Sequence, residues 1–235
     1  MQREPPAAHR QQPLRQLFTQ HVSLTFDDGP DATWTPAVLD VLAAADTRAT
    51  FFVIGSAARA HPGLLRRMVE AGHEVANHGF SHRHPWLLSE AQVVRDFVDG
   101  QTAIADITGE APRWFRPPHG RLRSGLLAHL HSAQQYQDVG IALWSVSAVD
   151  WGLMGTAAGI KRRLDAVQSG DIVLMHDAPR TSNHPEQLLL VLPGFLQQLA
   201  AAGLPCSLLP TVSVVRQPIQ VRAHDTGNHR YHHWL

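Results

Sequence analysis

The sequence predicts an α/β fold with a parallel sheet, closed or open, in a single domain. Short apolar runs of strand length alternate with longer amphipathic stretches, seven of the first and six of the second. That alternation is what successive βα units leave in a sequence. A length of 235 residues, 44% of them hydrophobic and 17% charged, is normal for one α/β barrel and can bury a large core.

The first strand is "VSLTF" (22–26), followed by a helical stretch at 34–45 whose Pro36 suits a first turn. "ATFFV" (49–53) and a helix at 62–71 come next, closed by Gly72, then "HEVAN" (73–77). The long stretch 89–108 starts at Ser89, a plausible N-cap, and stops at Gly109, where a left-handed terminal residue is wanted. "RWF" (113–115), a helix at 122–136, "IALWSV" (141–146) and a helix at 156–168 follow. After Gly170 come "DIVLM" (171–175), a helix at 185–202, Gly203 and a last strand "PCSLL" (205–209). There is no repeat and no internal linker. Residues 1–20 read as a flexible lead-in, 21–212 as the domain, and 213–235 as a polar, His-rich tail.

Twenty basic residues balance twenty acidic ones, so charge offers no case for nucleic acid or an anionic membrane as partner. No apolar run reaches the about 18 residues that a membrane span needs, and the N-terminal stretch lacks the apolar core of a secretory leader. As given, the chain reads as cytoplasmic; it would be extracytoplasmic had a leader been trimmed. The single cysteine, Cys206, excludes an internal disulfide. Sixteen histidines are many for this length, and histidine is both the commonest metal ligand and a neutral-pH acid or base.

In parallel α/β folds the chemistry sits beyond the C-terminal ends of the strands. Strand one ends in Asp27-Asp28-Gly29-Pro30, and strand three runs into "NHGFSHRH" with His78, His82 and His84. Strand four leads to "FRPPHG" with Arg116 and His119, strand five to "SAVDW" with Asp150 and Trp151, and strand six to "LMHD" with His176 and Asp177. Two adjacent carboxylates at a strand end repel unless something positive lies between them. His78 and His82, spaced i, i+4, can face one side of a turn. With one carboxylate they make a two-His, one-Asp set that leaves room for water on a divalent metal. The other carboxylate is then free as a general base beside metal-bound water, and His176 could protonate a leaving group.

Five of these segments together resemble the motifs of the polysaccharide deacetylase family, the NodB homology domain of the family-four carbohydrate esterases. They occur in family order over about residues 22–210: "TFDDGP", "HGFSH", "RPPHG", "SAVDW" and "LMHD". The resemblance implies a distorted (β/α) barrel. It implies Asp27 as base, Asp28, His78 and His82 as metal ligands, and Arg116 as the group holding the base. His119 would supply an oxyanion N–H, His176 would be the acid with Asp150 raising its pKa, and Trp151 and Leu174 would line the acetyl pocket. The implied cofactor is a divalent metal, zinc with cobalt as a substitute, and the implied substrate an N-acetylated amino-sugar glycan such as a chitin oligomer or peptidoglycan. The alternatives are an O-acetyl (xylan-type) esterase and a catalytically dead carbohydrate-binding relative; no protein partner is indicated.

The sequence departs from the family pattern at four places. Gly79 stands where Ser or Thr is usual, His119 where Tyr is usual, and Ser147 at the usual first Asp of the fourth motif. Arg83 and His84 are extra residues before Pro85, with His84 either a substrate contact or a solvated loop residue. The loop 177–186 and the segments near Trp86 and His119 are expected to choose the sugar.

Overall fold

The computed structural model describes residues 21–180 and 182–210. The expected lead-in 1–20 and tail 213–235 lie outside the described residues. Seven parallel strands form one sheet: β1 (Ser23–Asp27), β2 (Thr50–Val53), β3 (Glu74–Asn77), β4 (Trp114–Phe115), β5 (Gly140–Ile141), β6 (Val146–Ser147) and β7 (Ile172–His176), in the order β5-β4-β3-β2-β1-β7-β6. Helices α1 (Trp34–Ala44), α2 (Gly55–Ala60), α3 (Pro62–Glu70), α4 (Glu90–Thr108), α5 (Ser124–Ser132), α6 (Ala157–Leu164) and α7 (Pro185–Ala201) fill the crossovers. No helix among the described residues is long and apolar enough to cross a membrane.

β5 and β6 are the two edges of the sheet, yet only residues 142–145 separate them in sequence. Five Cα steps span at most about 19 Å, whereas seven flat strands would set their edges about 29 Å apart. The sheet therefore has to curl. The result is a half-barrel with the β5–β6 connection across its opening, a distorted form of the expected (β/α) barrel.

Two expected strands came out differently. The run 141–146 is not one strand: its ends pair with β4 and β7, and its middle is pulled out of any ladder. Arg116 is the reason, because its Nε donates to the Ala142 carbonyl at 3.0 Å and its Nη2 to the Leu143 carbonyl at 3.1 Å. The run 205–209 makes only an isolated bridge, Val22 with Cys206, since β1 already has β2 and β7 as ladder partners. The short helix α2 was not foreseen; at six residues it is below the length at which helical period is legible.

The two faces of the strands divide the core. Leu24, Phe26, Phe51, Val53, Val173 and Met175 face the helices in the larger apolar cluster. Phe52, Ala76, Trp114, Ala142 and Ile172 form a smaller cluster on the concave face, closed by Leu209. The period of two along each strand puts Thr25, Asp27, Leu174 and His176 on that same concave face. α4 is fixed at its start by the Ser89–Gln92 capping box and at its end by Gly109, whose φ of 80° is left-handed.

Candidate metal centre and active site

Asp27 is the last residue of β1 and Asp28 follows it, at the mouth of the half-barrel. Both are buried, at 3% and 7% exposure. Asp28 has φ 80°, which swings its side chain off the strand's alternation and lets two neighbouring carboxylates serve one site. Gly29 must be glycine, because a Cβ there would overlap the Asp177 carboxylate. Asp177 accepts the Gly29 N–H at 3.1 Å and the Thr35 hydroxyl at 2.6 Å.

Asp28 Oδ2 accepts from Asn183 Nδ2 at 2.7 Å, while Oδ1 is buried without a hydrogen-bond donor. Around Oδ1 lie His82 Nε2 at 3.1 Å and His78 Nε2 at 3.7 Å. His78 Nδ1 is 2.7 Å from the Arg116 carbonyl, which can only accept. The ring proton is therefore on Nδ1, and Nε2 turns a lone pair toward Asp28. Burial lowers the pKa of His78 to about 4 and that of His82 to about 3, so both rings are neutral at pH 7. Burial alone would raise Asp28, but the neighbouring histidines outweigh it and hold the carboxyl below its ordinary value. A buried carboxylate oxygen without a hydrogen-bond donor facing two imidazole Nε2 atoms, with all three ligand atoms within 4.8 Å of one another, fits a divalent cation.

Asp27 faces a different neighbour. Arg116, fully buried, donates from Nη1 to Asp27 Oδ1 at 2.6 Å and to Thr25 Oγ1 at 2.9 Å. Its guanidinium lies 4.0 Å from the centre of the Phe52 ring. The Arg116 backbone and side chain thus serve both sides of the site: the carbonyl orients His78 and the guanidinium holds Asp27. Burial nonetheless raises the Asp27 pKa to about 6, against the lowering effect of Arg116 and His176.

On the neighbouring strand His176, at the end of β7 and level with Asp27, pairs with fully buried Asp150: Nδ1 to Oδ1 is 2.8 Å, and the His176 backbone N–H reaches Oδ2 at 2.7 Å. Burial opposes charging the ring, but Asp150, Asp28 and Asp27 outweigh it and raise its pKa to about 9. Trp151 meets His176 edge-on at 5.3 Å between ring centres, and Leu174 lies two residues back on the same strand face. Ser147, in place of the family's usual Asp, accepts the Val149 N–H at 3.1 Å. That bond supports the left-handed Val149 (φ 48°) next to Asp150.

His119, at φ 58°, sits in a turn closed by the Gly120 and Arg121 N–H groups; neither bond uses its own N–H. Its ring lies between those of His82 and His84, tilted against both at 4.7 Å between centres, so His84 belongs to the site's rim and not to a detached loop. All ten residues expected from sequence lie in or beside this cleft. Asn183 and Thr25 were missed as site residues, and Asp177, which stands at a strand tip in the sequence, was given no role there. Thr25 lies in the quoted "TFDDGP" and Asn183 in the loop 177–186, but only folding shows which atoms they meet.

The profile of the polysaccharide deacetylase family matches residues 16–137. A peptidoglycan-N-acetylglucosamine deacetylase of Listeria monocytogenes is 36% identical over 69% of this chain, which spans about a third (34%) of that relative's length. A chitooligosaccharide deacetylase of Sinorhizobium fredii is 42% identical over 66% of this chain and 71% of its own. The family 4 carbohydrate esterase from Streptomyces lividans, solved with acetate, superposes with a TM-score of 0.71 at 32% identity, covering 81% of this chain and 93% of that one.

Proposed function

The chain belongs to the polysaccharide deacetylase family, and on that premise we propose that it hydrolyses N-acetyl groups of amino-sugar glycans of the chitin-oligomer or peptidoglycan type. The observation that carries the reading is the pairing of a metal-type triad with an acid and a base of separated pKa, His176 and Asp27, set side by side on the neighbouring strands β7 and β1. Asp28, His78 and His82 would hold a divalent ion, zinc by the nitrogen-rich donor set. Such an ion, when bound, polarises a carbonyl oxygen and acidifies water.

The chain's own residues do the proton work. Asp27, ionised above about pH 6, accepts the proton of the attacking water, and Arg116 holds its carboxylate at 2.6 Å. His176, charged below about pH 9, donates a proton to the departing nitrogen, because an amide leaves only as a neutral amine. Asp150 keeps that ring oriented through Nδ1, leaving Nε2 toward the cleft. The His119 N–H would donate to the oxyanion, and Trp151 and Leu174 would bound the acetyl methyl.

Incubation with N-acetylated chitin oligomers should release acetate and free amine, and product analysis would reveal a free hydroxyl instead if the enzyme were an esterase. Asp27→Asn should lower kcat by about 10²–10⁴ while zinc content is retained. Full activity in the zinc-loaded variant would remove Asp27 from the role of base.

A further inference from the structure

Two of the three proposed ligands, His78 and His82, sit on one loop whose backbone is left-handed at both ends of the span between them, a conformation free of cost for the glycine but not for the histidine. Gly79 has φ 79° and His82 has φ 54°, and a left-handed histidine persists only when its surroundings impose it. The surroundings that could do so come from α4. Asp96 accepts the Phe80 N–H at 3.1 Å through Oδ2, and the Ser81 N–H at 2.9 Å and the Ser81 hydroxyl at 2.5 Å through Oδ1. Asn77 accepts the Gly79 N–H at 2.8 Å and donates to the Phe97 carbonyl at 3.0 Å. Three successive N–H groups between the histidines are thereby fixed by two side chains.

The close approach depends on two missing methyl groups. A Cβ on Gly79 would overlap Asp96 Oδ2. One turn along α4, a Cβ on Gly100 would fall 2.9 Å from the Gly79 carbonyl carbon. Glycine at both positions lets the helix lie against the loop, and the Asp96 carboxylate fills the space that a side chain at 79 would need.

We propose that Asp96 is a positioning residue for the metal centre: its carboxylate locks the 78–82 loop so that both imidazoles face Asp28 before the ion arrives. The proposal rests on the reading that Asp28, His78 and His82 bind a divalent ion. It makes metal affinity, not only fold stability, depend on a side chain that touches neither metal nor substrate.

Zinc titration of the full chain by calorimetry, with cobalt absorption as the marker of ligand geometry, tests it. His82→Ala supplies the baseline for zinc taken up elsewhere, including the histidine-rich tail. Asp96→Ala should weaken zinc about ten- to hundred-fold and change the cobalt spectrum. Asp96→Asn, which keeps one acceptor oxygen but turns an N–H donor on the loop, should fall between Ala and the unchanged chain. Ser81→Ala, removing one bond only, should weaken zinc by a few-fold, and these two variants decide the matter if Asp96→Ala does not fold. Zinc affinity within about twofold of the unchanged chain, with the same cobalt spectrum, in both Asp96 variants, or in Asp96→Asn and Ser81→Ala where Asp96→Ala does not fold, would overturn the proposal, since loss of an outer-sphere partner normally costs ten-fold or more. An unchanged chain that binds no more zinc than His82→Ala would instead overturn the metal-centre reading itself.

Discussion

Asp27 and Asp28 are adjacent in the chain and opposite in behaviour. Burial raises the first to about 6, while the histidines around the second hold it below its ordinary value. Separated pKa values in neighbouring carboxyls are the usual mark of divided catalytic labour. The acid partner obeys the opposite sign. His176 has a folded-state pKa raised to about 9, so its pairing with Asp150 stabilises the fold fully below the unfolded value of about 6.5. That contribution is lost as pH rises through about 9. Activity should fall over the same alkaline range, and a cation beside Asp28 would offset part of the field and place the limb at or below about 9. Asp150→Asn should shift this limb of the kcat/KM profile downward; a profile with an unmoved alkaline limb would detach His176 from the acid role.

At the scale of elements, Arg116 does the most to join parts of the fold. From the loop after β4 it reaches β1 through Thr25 and Asp27 and the β5–β6 connection through two carbonyls. Arg116→Met should therefore destabilise by about 3–5 kcal/mol, because it leaves Asp27 buried without its partner; urea unfolding measures the change. The capping box of α4 is an independent feature that makes no contact with the proposed ligands, base or acid. Ser89→Ala should cost about 1 kcal/mol in the same experiment and leave kcat unaltered. β5 and β6 show why the run 141–146 was misread as one strand. Its composition is strand-like throughout, but the carbonyls at its centre are claimed by a guanidinium 26 residues earlier in the chain, and no local pattern reports that.

At the scale of the whole molecule, metal and fold are thermodynamically linked. Three lone-pair groups packed together without a cation repel, so the metal-free fold should be the less stable one. Zinc at a hundred times its dissociation constant should add about 2.7 kcal/mol, read as a rise in the thermal midpoint that a chelator reverses. Asp28→Asn should abolish most of that rise; an equal rise in the variant would place the stabilising ion elsewhere, for example on the terminal histidines.

The sequence by itself determined the α/β class, the strand-tip position of the chemistry, and the residue types available there. Those depend on local period and on charged groups set at the ends of apolar runs, which are properties of short segments. The tertiary structure decided which carboxylate meets which partner. Asn183 is 155 residues from Asp28 and Arg116 is 89 from Asp27, and such pairings arise only when the sheet curls and brings its strand ends together. It also decided that Gly79 makes room for Asp96. A lone glycine in a sequence states that no side chain is present, whereas which atoms occupy the vacated space depends on how closely a helix from elsewhere in the chain can approach.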